Sequence, residues 1–147
     1  MSDLRDIYQQ VIFDHYRAPR NCRALAQASH RAEGYNPLCG DKVTVYLKID
    51  DGVIRDASFQ GVGCAISTAA ASLMTEALKG RGIDEVEDVF DAFRDMVTGA
   101  SAGPYRLGKL EALAGVREFP SRVKCATLAW HTLLAALKRQ SEPVSTE

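Results

Sequence analysis

Apolar residues at the start of the chain recur at helical spacing: Leu4, Ile7, Tyr8, Val11, Ile12 and His15 fall on one face. Ser2 offers a cap, Asp3 and Asp6 suit a first turn, and Pro19 stops the run, so a first helix is predicted up to that proline. The pattern then changes period. From 42 to 50, Val43, Val45, Leu47 and Ile49 alternate with Lys42, Thr44, Tyr46, Lys48 and Asp50, the signature of a half-buried strand. Asp51-Gly52 follows, a strong two-residue hairpin signal. The return strand, about 53–60, alternates less cleanly because Arg55 falls in phase with Val53, Ala57 and Phe59. A weaker strand is expected near 31–36.

Gly61-Val62-Gly63 breaks the strand pattern, and an Ala-rich helix is predicted from Cys64 or Ala65, ending at the helix-terminating Gly80. A further helix, about 83–97, buries Val86, Val89, Phe90, Phe93 and Met96. Its other face carries Asp84, Glu85, Glu87, Asp88, Asp91 and Asp95 and reads as a solvated surface. Gly99 to Pro104 is a loop, a short helix covers about 107–113, and Pro120 opens a last helix to about Lys138. This order predicts an α+β fold: a small antiparallel three-stranded sheet packed against several helices, in a single domain spanning 1–138. Residues 139–147 are polar and unpatterned, and are expected to form a flexible tail.

Composition narrows the function classes. The chain has 147 residues, 46% of them hydrophobic and 25% charged, a globular balance with enough core to fold without disulfides. Lys and Arg number 18 against 19 Asp and Glu, so broad nucleic-acid binding is disfavoured. No apolar run approaches the roughly 18 residues that span a bilayer, and charges interrupt the N-terminus. A cytoplasmic protein is therefore expected, and there cysteines more often bind metals or catalyse than pair.

Three of the four cysteines sit where chemistry is plausible. Turning about 100° per residue, the last helix gathers Val123, Ala126, Trp130, Leu133, Leu134 and Leu137 on one face, and Cys125 falls about 140° from its centre. A thiol off the main apolar stripe, near a helix start and beside Arg122 and Lys124, suits a thiolate. Cys64 opens a helix after Gly-Val-Gly, where amides favour a thiolate; the bland alternative is a small residue at a crowded junction. Cys39 and Asp41 flank Gly40 in a Pro37-to-Gly40 loop and can converge, although an ordinary turn would look the same. Three thiols and a carboxylate suit tetrahedral Zn²⁺, and thiolates also suit iron–sulfur clusters. The spacing is not diagnostic, since no C-x-x-C pair exists. A carboxylate among sulfurs is the donor most easily exchanged. His15 reads as a core histidine, His131 cannot easily share a site with Cys125, His30 is isolated in a loop, and Cys22 is a bystander.

The blocks Asp14-His15-Tyr16, Pro19-Arg20-Asn21, Asn36-Pro37-Leu38-Cys39-Gly40-Asp41, Gly61-Val62-Gly63-Cys64-Ala65-Ile66-Ser67 and Arg122-Val123-Lys124-Cys125-Ala126-Thr127-Leu128 resemble the iron–sulfur cluster assembly scaffolds of the IscU/NifU type. The resemblance runs from about Leu4 to Lys138. Typical members place a histidine before the last cysteine, where Lys124 stands here. They also carry a chaperone-read Leu-Pro-Pro-Val-Lys, where Glu118-Phe119-Pro120-Ser121-Arg122-Val123-Lys124 stands here. The stretch between Cys64 and Cys125 is longer than in those members, the extra length falling within 98–116. These departures resemble the SufU branch, associated with zinc-dependent sulfur transfer beside a cysteine desulfurase.

The resemblance implies a SufE/IscU-like fold and makes Cys39, Asp41, Cys64 and Cys125 the metal ligands. It makes Cys39 the sulfur acceptor, with Arg122 as outer support. The implied function is iron–sulfur cluster biogenesis: a zinc-bound carrier that takes persulfide sulfur from a SufS-like cysteine desulfurase and serves downstream assembly proteins. Whether that makes it an enzyme, a zinc-dependent sulfurtransferase, stays open. The alternative is a scaffold binding iron or a [2Fe–2S] cluster through Cys39, Cys64 and Cys125. Neither reading involves nucleic acid or a membrane.

Overall fold

The alternating segment forms an interior strand of the sheet. In a computed structural model that describes residues 2–37, 40–139 and 143–145, strands β1 (His30–Asn36), β2 (Asp41–Asp50) and β3 (Val53–Val62) make an antiparallel meander. Val43, Val45 and Leu47 of β2 are buried, while Lys42 and Lys48 on the opposite face are exposed. Asp51 and Gly52 both have positive φ, 55° and 73°, as a two-residue turn of the mirror-image type requires.

The untidy alternation of β3 has a structural cause. Lys48 pairs with Asp56 but Ile49 pairs with Ile54, so one extra residue, Arg55, bulges out of β3. The bulge resets the phase. Ile54 faces inward before it and Ala57 and Phe59 after it, while Arg55 stays exposed.

The sheet has four strands and is mixed, which corrects the expected three-stranded antiparallel sheet. Strand β4 (Val144–Ser145) pairs in parallel with Gly34 and Tyr35 of β1, giving the order β3-β2-β1-β4. It comes from the polar segment expected to be a frayed tail. Edge pairing uses backbone groups that every residue but proline carries in full, so lack of periodicity in the sequence does not forbid it.

Four α-helices pack with this sheet: α1 (Ser2–Arg17), α2 (Ala65–Leu78), α3 (Val86–Thr98) and α4 (Pro120–Leu137). A three-residue 3₁₀ turn, Ile83–Glu85, leads into α3, and a longer 3₁₀ segment, Gly108–Glu118, precedes α4. Gly99, at φ 80°, closes α3 in the left-handed conformation that glycine adopts most readily. Helix α4 lies against β1 and β2 and also touches α2 and α3; α2 covers β3 and packs on α1. Trp130 of α4 stacks on Phe90 and Phe93 of α3, with ring centroids 5.8 and 5.3 Å apart. The 3₁₀ segment buries Leu110, Leu113 and Val116 in the same core. Among the described residues, no helix is long and apolar enough to cross a membrane.

His15 is a satisfied core histidine, as its place on the α1 stripe predicts. Its Nδ1 lies 2.7 Å from Ser72 Oγ, which also accepts the Arg20 backbone N–H at 2.9 Å. The other ring nitrogen, Nε2, lies 3.6 Å from Glu76 Oε1, so both ring nitrogens face polar partners. Burial foremost, then the Arg20 charge, holds His15 below the usual histidine pKa, with Glu76 opposing.

Candidate metal centre

Two backbone devices bring the donors together at one end of the sheet. Asp41 is the first residue of β2 and pairs with Asn36, in phase with the buried Val43, Val45 and Leu47. Its side chain therefore points inward and is 2% exposed. The break at the end of β3 then lets α2 start against it. A Cβ on Gly63 would collide with Ser67 Oγ and come within 3.1 Å of Asp41 Oδ1. Only glycine leaves room for the carboxylate at the mouth of the helix.

Cys64 caps α2 with an extended backbone, φ −73° and ψ 172°. Its amide donates to Asp41 Oδ1 at 3.0 Å, and the Ser67 amide donates to its sulfur at 3.4 Å. The sulfur is 4.0 Å from Asp41 Oδ2. Cys64 thus takes the place of the usual serine or aspartate cap, at the positive end of the helix dipole.

Cys125 arrives from α4, one turn beyond Pro120. By phase Cys125 lies off the apolar stripe, yet it is fully buried, and its neighbours from Ala126 to Trp130 are all 5% exposed or less. Helix α4 has sheet on one side and helices on the other, so a single apolar face cannot describe it. Close approach to β1 depends on Gly34, where a Cβ would run into Thr132 Oγ1 and press on Leu128. Asn36, at the end of β1, donates its Nδ2–H to Cys125 Sγ at 3.8 Å.

Ligand atoms of Asp41, Cys64 and Cys125 all lie within 4.8 Å of one another. A tetrahedral zinc, with Zn–S of about 2.3 Å and Zn–O of about 2.0–2.2 Å, sets its donors roughly 3.5–3.8 Å apart. The three donors are therefore close to ligation distance before any ion draws them in. Each also receives one N–H: Asp41 from Cys64, Cys64 from Ser67, and Cys125 from Asn36. The donor set fits zinc, and its thiols also fit iron.

Cys39 lies outside the described residues. Of its described neighbours, Gly40 donates its amide to Asn36 O at 2.9 Å. Arg122 is exposed on the first turn of α4, and Lys124, beside Cys125, is half-buried. Cys22 is exposed and stands apart, bridging to Phe59. The cluster contains no imidazole among the described residues. His131 meets the edge of Phe90, and His30 meets Ser29 and Arg139. Sequence reasoning missed two contributors. Ser67 was visible in principle, three residues past a cap. Asn36 was not, because its partner is 89 residues away.

The description "NifU-like N terminal domain" belongs to a family model that matches residues 7–141. The zinc-dependent sulfurtransferase SufU of Bacillus subtilis (strain 168) is 43% identical over 133 residues, covering 90% of each chain. The iron–sulfur cluster assembly scaffold protein IscU of Thermotoga maritima is 38% identical over 137 residues, covering 93% of this chain and 96% of that one. A crystal structure of a candidate iron–sulfur cluster assembly scaffold protein for the SUF system, from Fervidobacterium islandicum AW-1, superposes with a TM-score of 0.82. It is 34% identical and covers 87% of this chain and 94% of its own.

Proposed function

The chain belongs to the family of the NifU-like N-terminal domain, and from that premise we propose that it is a zinc-binding sulfur acceptor of iron–sulfur cluster biogenesis. The observation that carries the reading is the convergence of Asp41, Cys64 and Cys125 within 4.8 Å, each already holding an N–H partner. Cys39 completes the set as the fourth donor. Bound zinc supplies the positive charge that keeps the thiols deprotonated at neutral pH.

Within this reading the four donors differ in role. Cys64 and Cys125 are anchored at a helix start and in a helix, whereas Cys39 is followed by Gly40, which sits at φ 73° with open space around it. We assign Cys39 as the acceptor, as the resemblance of its Asn36-to-Asp41 block implies. Its thiolate attacks the terminal sulfur of a desulfurase persulfide, a new S–S bond forms on Cys39, and the old S–S bond breaks. The desulfurase cysteine leaves as its thiolate, so one sulfur moves and no external oxidant is needed. Arg122, exposed near the start of α4, supports the anionic groups from outside.

A scaffold reading, in which the same thiols hold a [2Fe–2S] cluster as cargo, is favoured by the similarity to an IscU scaffold. Lys124 weighs against it, because a protonated lysine cannot ligate where an imidazole would. The deciding experiment incubates the purified protein with a cysteine desulfurase and cysteine, then alkylates and maps peptides by mass spectrometry. One added sulfur is expected on the Cys39 peptide and none in Cys39→Ser. Sulfur on Cys125 instead would keep the carrier but reassign the acceptor. No persulfide, together with a coloured cluster after iron is added, would select the scaffold.

A further inference from the structure

We propose that Asn36 is a positioning residue of the donor cluster, fixing the Cys125 sulfur through its side-chain N–H so that Cys125 serves as a permanent metal donor. The inference rests on the metal-site reading above and assigns a role to a residue that is not itself a donor. Asn36 is 1% exposed and ends β1 directly beside Asp41. Its Nδ2–H is aimed at Cys125 Sγ, 3.8 Å away, across the contact between sheet and helix. Its backbone carbonyl meanwhile accepts the Gly40 amide at 2.9 Å.

One residue thus separates the two kinds of donor. Its main chain defines where the loop begins, and its side chain ties down the thiolate that stays. The other two donors receive their N–H bonds from backbone amides, which every non-proline residue supplies. Cys125 lies inside α4, where the amides of the following turns are engaged in the helix. The Asn36 side chain gives it the same service. A hydrogen bond to a metal-bound thiolate draws charge off the sulfur, and outer partners of this kind commonly change metal affinity about 10- to 100-fold when removed.

The test uses full-length protein with Asn36→Ala and Asn36→Leu, the latter keeping the branched shape but lacking a side-chain N–H. Both leave the backbone carbonyl that accepts the Gly40 amide. Zinc affinity is measured by competition with a colorimetric chelator. Co²⁺ is then substituted to read the sulfur-to-cobalt charge-transfer band. Both variants are expected to bind one metal about 10- to 100-fold more weakly, with the band moved to longer wavelength because the sulfur is no longer hydrogen-bonded. An unchanged band and affinity, while Cys64→Ser loses the metal, would overturn the Asn36 role and leave the metal site standing. Weaker binding with an unchanged band, tracking an equal loss of stability in the metal-free variants, would reduce Asn36 to a structural residue and overturn the proposal. Failure of the unmutated protein to bind either metal would overturn the metal-site reading and this inference with it.

Discussion

Asp41 acts through two oxygens, and the two can be separated by mutation. Oδ1 accepts the Cys64 amide at 3.0 Å, and Oδ2 faces the Cys64 sulfur at 4.0 Å. Removing a buried acceptor and orphaning its donor costs about 1–3 kcal/mol. Asp41→Ala should lower the stability of the metal-free protein by that amount, whereas Asp41→Asn retains an oxygen for the amide and should lose less than half of it. Cys64→Ser should behave in the opposite way, because serine is itself a good helix cap but a poor partner for a soft metal. Urea unfolding of the chelated proteins and zinc competition give the two rankings: Asp41→Ala worst for stability, Cys64→Ser worst for metal. Equal stability of all three variants would show that the Oδ1 bond contributes nothing. At this scale Asp41, Cys64 and Cys125 could be singled out as candidate donors by residue type and their place after glycine breaks, but their convergence within 4.8 Å was not legible from their spacing. Their N–H partners were legible only where they are local. Ser67 sits three residues from Cys64, but nothing in the text links Asn36 to Cys125.

At the scale of elements, the strand–turn–strand from Asp41 to Val62 was readable because the period of two and the Asp-Gly turn are local properties. Even the fault in its alternation was visible at Arg55, although only the pairing register showed it to be a bulge. In helix α4 the core face of Ala126, Trp130 and Leu133 was readable, but the burial of Cys125 opposite it was not, because a helix buried on several sides has no single apolar face. What decides its environment is the approach to β1, and that turns on Gly34. A methyl group there meets Thr132 Oγ1 and Leu128. Gly34→Ala should therefore push α4 off the sheet, costing about 1–3 kcal/mol as overpacked core changes do. It should also weaken metal binding, because Asn36 and Cys125 lie on the two elements being separated. A paired Gly34→Ala/Thr132→Ala variant, which empties the colliding position, should recover both losses in thermal melts and zinc competition. No loss in the single variant would show that the contact between β1 and α4 yields freely.

At the scale of the whole molecule, the α+β class followed from element order, while the fourth strand did not, since Val144 and Ser145 pair through their backbone and carry no periodic signal. The same view separates the core from the site. Leu47, Ile54, Phe93, Trp130 and Leu133 are buried in one apolar cluster that contains none of the donors. The donors sit at one end, where the start of β2, the mouth of α2 and an early turn of α4 meet. A site placed there adds stability by mass action without being needed for folding. Zinc free at 100 to 1,000 times its dissociation constant contributes about 2.7–4.1 kcal/mol, and each kcal/mol shifts the melting temperature of a chain near this size by about 2–4 °C. Chelation should therefore lower Tm by roughly 5–16 °C while a single cooperative transition survives, as calorimetry with and without chelator would read. Loss of the transition on chelation would mean that the metal holds the fold together and would point to a purely structural zinc. An unshifted Tm would mean that Asp41, Cys64 and Cys125 bind nothing. The expected middle result leaves a folded protein around a site that can gain and lose its ion, which separates a functional metal centre from a structural one.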